Sequence, residues 1–169
     1  AELSREAPIV FPCHPRTRGR IQAISGQQAA PRLRSGTTSS GQQSSGLPGE
    51  IVNLADLPDG APIRSGVIIT EPMGYMDFLN IWKDAAVVVT DSGGLQEETT
   101  ALKVPCITIR ENTERPVTAE VGSNEIVGRD EQKIKTLFYR ALEGKWKDCR
   151  IPDLWDGKAA ERIAALLAR

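Results

Sequence analysis

Residues 86–116 read AVVVTDSGGLQEETTALKVPCITIRENTERP, and the reading of the whole chain turns on them. Together with Ala85, the run Ala86-Val87-Val88-Val89 has the continuous apolar character of a parallel strand buried on both faces. Thr90-Asp91-Ser92-Gly93-Gly94 then supplies hydroxyls, a carboxylate and two residues without a Cβ. Leu95 to Leu102 reads as a helix with Gln96, Glu97 and Glu98 in its first turns. Free N–H groups and the positive dipole end at such a helix start suit phosphate, and the two glycines let an anion approach the backbone closely. A second strand, Pro105 to Arg110, returns beside the first and delivers Glu111 to Pro116 to the same edge of the sheet.

Outward from this stretch, strand and helix signals keep alternating. Towards the amino end, Pro8 to Cys13 is a short apolar strand, and Arg16 to Ile24 reads as a basic helix entered through His14-Pro15. Glu50 to Leu54 is a brief strand or turn, Gly66 to Thr70 a second buried-type strand, and Tyr75 to Lys83 has the apolar spacing of a helix with one face on a sheet. Towards the carboxyl end, Thr118 to Val121 is a single helical turn and Ser123 to Val127 the last strand. Asp130 caps a helix from Glu131 to Leu142 that Gly144 ends. A loop follows with Trp146 and Trp155 as packing anchors, then a helix over 158–168 with Ala159, Ile163, Leu166 and Leu167 on one side. This alternation predicts an α/β fold: one Rossmann-like, doubly wound, mostly parallel sheet of about five or six strands with helices on both faces. Ser25 to Gly49 is rich in Gly, Ser, Gln and Thr, with Leu33 and Leu47 its large apolar residues. That composition cannot offset its ordering entropy, so 25–49 is expected to be a flexible low-complexity loop.

At 169 residues the chain is long enough for one ordinary domain with a real core, and 21 basic against 22 acidic residues point to neither nucleic acid nor a membrane surface. No apolar run approaches the roughly 18 residues of a spanning helix. Cys13, Cys106 and Cys149 are scattered, the pattern of reduced thiols in a cytoplasmic protein rather than of a disulfide frame or zinc site. They are read as small core residues or surface thiols, and neither metal nor cofactor is expected.

Serine before two glycines occurs in many loops, but the longer string is more specific. DSGGLQEE followed by a strand and RENTERP closely resembles the signature of the non-hydrolysing UDP-N-acetylglucosamine 2-epimerases, which have the two-domain GT-B fold. FPCHPRTRGRI at Phe11 to Ile21, EPMGYMDFLNIW at Glu71 to Trp82 and DGKAAERI at Asp156 to Ile163 extend the match. The segment over 25–66 departs from it, where the family is expected to have a shorter connection. In order, these motifs resemble the C-terminal half of the family. With no starting methionine at Ala1, they predict a portion of a longer protein, one nucleotide-binding domain over 1–169 whose last helix would cross to an N-terminal domain.

The resemblance implies that Ser92, Gly93 and Gly94 hold the diphosphate of UDP, in agreement with the physical reading of the turn. It implies that Glu98 accepts the two ribose hydroxyls, a pairing that one carboxylate serves well. Arg115 is implied to contact the nucleotide sugar, its fork of donors suiting phosphate, with a structural ion pair to Glu111 or Glu114 as the alternative. Phe78 matches an aromatic position bordering the uracil and equally fits a core position on its helix. Met73 stands where some relatives carry a glutamine near the base, so base recognition would fall to main-chain groups of the Glu71 to Tyr75 loop. Thr113 and Glu114 are lesser candidates, Glu97 is read as surface, and Gln96 is left open. His14 is the only histidine and is read as capping or loop-bonding, and Arg16 and Arg18 as solvated.

As known for the family, the reaction eliminates UDP across C1 and C2 of the sugar and adds it back with the C2 proton on the other face. The catalytic carboxylates are implied to lie in the N-terminal domain, so none is assigned in this chain, which alone is expected to bind a UDP-sugar weakly and turn nothing over. Two rival readings are the donor domain of a GT-B glycosyltransferase and a non-catalytic remnant that associates, as a homodimer for instance, through its last helix.

Overall fold

The computed structural model describes residues 2–25, 51–53 and 65–168. The loop expected over 25–49 lies, beyond its first residue, outside them. The chain divides into two compact units, Ala1–Gly74 and Tyr75–Arg169.

In the first unit a 3-10 turn, Leu3–Arg5, leads into β1 (Ile9–Pro12), α1 (Pro15–Ser25), β2 (Ile51–Asn53) and β3 (Val67–Thr70). The strands are parallel in the order β1-β3-β2, with Ile9 and Ile51 both opposite Val67. β3 is central, and its Ile68, Ile69 and Thr70 are buried. The β1–β3 ladder runs on at both ends, through Ile9 N–H to Gly66 O at 2.9 Å and Cys13 N–H to Thr70 O at 3.0 Å. Pro15 opens α1, where a missing N–H costs nothing. His14 supports that start, as expected, with Nδ1 accepting from Arg16 N–H at 3.3 Å. Arg18 is not solvated as expected. Its guanidinium pairs with Glu71 and is largely covered, because α1 brings position 18 against the segment that leaves β3.

The second unit contains α2 (Tyr75–Trp82), β4 (Val88–Thr90), α3 (Gly93–Leu102), β5 (Cys106–Thr108), α4 (Pro116–Glu120), β6 (Asn124–Ile126), α5 (Glu131–Leu142) and α6 (Ala159–Leu167). Its strands are parallel in the order β4-β5-β6, so α3 and α4 are the crossovers of two successive βαβ units. The expected strands are thus all present and all parallel. Among the described residues they pair as two three-stranded parallel ladders, one in each unit.

β5 is central here, and Cys106, Ile107 and Thr108 are each 0% exposed. Burial pushes the Cys106 thiol up, which keeps it neutral and fits its reading as a packing residue. β4 departs from the reading as a strand buried on both faces: Val88 and Thr90 are buried, but Val89 is 46% exposed. Successive side chains of a strand point to opposite faces, so Val89 lies on the face that Val88 and Thr90 do not share. Trp82, Val88 and Val104 form a core cluster against which Phe78, Leu79, Ala85 and Leu95 pack, so α2 and the first turn of α3 meet over β4.

The turn from α3 into β5 closes on Lys103 in the left-handed region, φ 57°, with its N–H shared between Thr100 O and Thr99 O. Asp130 caps α5 as expected, Oδ1 accepting from Gln132 and Lys133 N–H at 3.0 Å each. Gly144 follows its end at φ 68°. The segment after it lies along β6: Trp146 Nε1 donates to Ser123 O at 2.9 Å, and Lys147 Nζ donates to Ala119 O and Asn124 O at 2.6 Å each. α6 buries none of its residues, leaving Ile163, Leu166 and Leu167 exposed.

The turn between α4 and β6 demands a glycine. A Cβ at Gly122 would stand 2.4 Å from Thr100 Cγ2 and 2.7 Å from the backbone oxygen of Thr118. Neither atom is the end of a flexible chain. Gly122→Ala is expected to destabilise the protein by about 1–3 kcal/mol, the cost of overpacking, seen as a lower urea midpoint with unchanged slope.

Candidate functional site

β4 ends at Thr90, and its hydroxyl accepts Ser92 N–H at 3.0 Å, which bends the chain into α3. Ser92 is the N-cap, extended at φ −81° and ψ 128°, with Oγ accepting from Leu95 N–H at 3.5 Å. Among the described residues nothing accepts the Gly93 or Gly94 N–H. A Cβ at Gly94 would meet only Ser92 Oγ at 4.0 Å, whereas one at Gly93 would touch the Glu114 carboxylate, Oε2, at 3.5 Å. Two unspent amides at the positive end of a ten-residue helix can receive an anion without displacing any protein bond.

The 111–115 loop faces this turn. Arg115 Nε donates to Glu97 Oε1 at 2.8 Å, and its Nη1 to Glu114 O at 3.3 Å. Glu114 is itself held by Arg110, at 2.9 and 3.3 Å. That guanidinium lowers the Glu114 carboxyl from its ordinary value, first through the hydrogen bond and then through charge. The ion pair that Arg115 makes is thus with Glu97, and not with Glu111 or Glu114 as in the alternative reading. One helical turn carries Glu97 to the side of α3 that the loop overlooks, where it stays 40% exposed while pairing with Arg115. Glu98 is partly buried and has no side-chain partner among the described residues.

Behind the open turn lies a buried polar network. Gln96, 0% exposed, accepts at Oε1 from Thr113 Oγ1 at 2.6 Å and from Asn124 Nδ2 at 3.2 Å. Asn124 Nδ2 also donates to Thr118 Oγ1 at 3.0 Å, and Asn124 Oδ1 accepts from Thr108 Oγ1 at 2.6 Å. The network joins α3, β5, the loop, α4 and β6. Gln96, left open from sequence, is thus structural core. Thr108, Thr118 and Asn124 were not singled out, because a buried polar residue has no periodicity of its own and shows itself only through its partners.

Ser92, Gly93, Gly94, Glu98 and Arg115 come together in the second unit. Phe78 is also in this unit but packs on the Trp82 cluster, which fits the core reading of the two left open for it. Met73, partly buried, belongs to the first unit, after β3. Among the described residues no group of three or more His, Cys, Asp or Glu could hold a metal ion.

Parallel βαβ units with a glycine-started helix at the carboxyl end of a strand define an α/β protein of the Rossmann-like class. Comparison with known proteins narrows this further. Residues 1–168 match the UDP-N-acetylglucosamine 2-epimerase family, and the chain belongs to it. The UDP-N-acetylglucosamine 2-epimerase of Methanocaldococcus jannaschii is 48% identical over 101 residues, 59% of this chain and 26% of that protein. That of Methanococcus maripaludis is 37% identical over 138 residues, 82% of this chain and 29% of that protein. The crystal structure of the M. jannaschii enzyme in complex with UDP-GlcNAc and UDP matches with a TM-score of 0.60 at 35% identity, covering 95% of this chain and 35% of that one. The chain thus spans about a third or less of the length of these relatives.

The open space at the helix start separates folding from binding. Gly94→Ala meets no clash and replaces the residue with the larger unfolded-state entropy, so its urea midpoint is expected to be unchanged, or raised by up to about 1 kcal/mol of stability.

Proposed function

We propose that this chain is the UDP-sugar-binding half of a UDP-N-acetylglucosamine 2-epimerase. The observation that carries it is the pair of unaccepted amides at Gly93 and Gly94, on the helix whose Glu97 holds Arg115. In this reading the diphosphate docks on Ser92, Gly93 and Gly94, and Arg115 supplies a cation to the charge that UDP gains as it leaves the sugar. Glu98, partly buried and unpartnered among the described residues, accepts the ribose hydroxyls. The carboxylates that remove and return the C2 proton come from another part of the enzyme, and the intact protein works in the cytoplasm on UDP-GlcNAc and UDP-ManNAc without a metal.

Three features support the reading: the family match over almost the whole chain, the UDP-GlcNAc and UDP held by the M. jannaschii relative, and an open helix start where a phosphate needs one. The family match also favours it over a glycosyltransferase donor domain. Association as a homodimer through α6 is a second reading, favoured by the exposed Ile163, Leu166 and Leu167 on one helix.

Calorimetric titration of the purified 169-residue chain with UDP is expected to show weak one-site binding, and incubation with UDP-GlcNAc to yield no UDP-ManNAc. Arg115→Ala should weaken UDP roughly 10- to 100-fold, the worth of a charged hydrogen bond. Gly94→Ala, folded as above, should abolish the binding. Turnover by the chain alone, or UDP affinity indifferent to both substitutions, would contradict the proposal.

A further inference from the structure

We propose that Thr113 and Thr118 are positioning residues for Arg115, clamping both of its backbone polar groups, and that Gln96 and Asn124 fix the two hydroxyls from inside the core. The inference deepens the proposed function and rests on it, since it concerns the cation assigned to the diphosphate.

The geometry is directional. Arg115 N–H donates to Thr113 Oγ1 at 2.9 Å, and Thr113 spends its single hydroxyl proton on Gln96 Oε1 at 2.6 Å. Arg115 C=O accepts from Thr118 Oγ1 at 2.7 Å, and the Thr118 oxygen in turn accepts from Asn124 Nδ2 at 3.0 Å. Each hydroxyl therefore has one proton with one destination, and neither can rotate without losing a bond. The second Asn124 Nδ2 proton goes to Gln96 Oε1, which ties the two arms into one net. With Gln96 as placed, exchanging the amide atoms of Asn124 alone would set oxygen against oxygen at Gln96 and leave Thr118 without its donor.

The guanidinium has one long bond, Nη1 to Glu114 O at 3.3 Å, besides its ion pair. Its pair with Glu97 joins side chains that are 45% and 40% exposed, and exposed pairs of this kind hold a side chain only weakly. The direction of Arg115 is consequently set by its backbone, which takes φ −125° and ψ 59°, neither helical nor extended. Gln96 shows what the arrangement gives up. Its Nε2 is buried with no partner among the described residues, while Oε1 serves two donors.

The test is a double-mutant cycle on the full chain with UDP as titrant. Thr113 is only partly buried, so Thr113→Val and Thr113→Ser are read first, and Thr118→Val and Thr118→Ser repeat the comparison on the second arm. Thr113→Val is expected to weaken UDP about 10-fold with Arg115 present and less than about 2-fold in the Arg115→Ala background, and Thr113→Ser to restore affinity. Uridine, which lacks the phosphates, should bind all of these variants alike. Equal losses in both backgrounds, equal losses for uridine, or no loss at all would overturn the positioning role while leaving UDP binding intact. If the unsubstituted chain takes up no UDP, the proposed function falls, and this inference with it.

Discussion

A helix that keeps its first amides free for a ligand cannot be tied down from the front. α3 is held instead from behind, by a hydrogen-bonded amide pair with no access to water, Gln96 and Asn124. Ser92 caps the turn through a single long bond and leaves Gly93 and Gly94 unspent, so the rigidity of the helix start has to come from the next turn inward. Burying polar groups this deep is tolerable only when nearly every donor and acceptor finds a partner. The net therefore prescribes its neighbours: a threonine at the end of β5, an asparagine opening β6, and threonines on the loop and in α4.

Other features of the second unit serve the same placement. Gly122 lets the turn into β6 come within reach of Thr100 and Thr118, bringing Asn124 to Gln96. Lys147, from the segment after α5, donates to the carbonyls of Ala119 and Asn124, closing the end of α4 and the start of β6 from outside. An ammonium at the carboxyl end of a helix is favoured by the dipole as well as by the bonds. The site is thus supported from a direction opposite to that in which a ligand would arrive, so support and access do not compete.

The order of elements was legible before any coordinates because it rests on local chemistry. The valine run, the SGG turn and the apolar spacing of α2 and α5 each declare their conformation within a few residues, and the boundaries fall within two or three positions of the expected ones. β4 begins later than its apolar run because Ala85 N–H is still bonded to Trp82 O at the close of α2. The exposed Val89 was not legible. Which face of a strand is covered depends on what packs there, and a short apolar run carries no record of its neighbours.

Within the site the division is similar. The sequence by itself determined the open glycine turn, the acidic face of α3 and the presence of an arginine two short elements later, since Ser-Gly-Gly after a strand and before a helix has few other ways to fold. Only the tertiary structure decided that Arg115 makes its ion pair with Glu97 and not with the carboxylate of Glu111 or Glu114, that Phe78 turns to the core, and that Gln96 is interior where Glu97 beside it is not. Pairings between residues 17 to 28 positions apart are settled by how two crossovers pack across one strand, and that packing is a property of the assembled unit rather than of any segment in it.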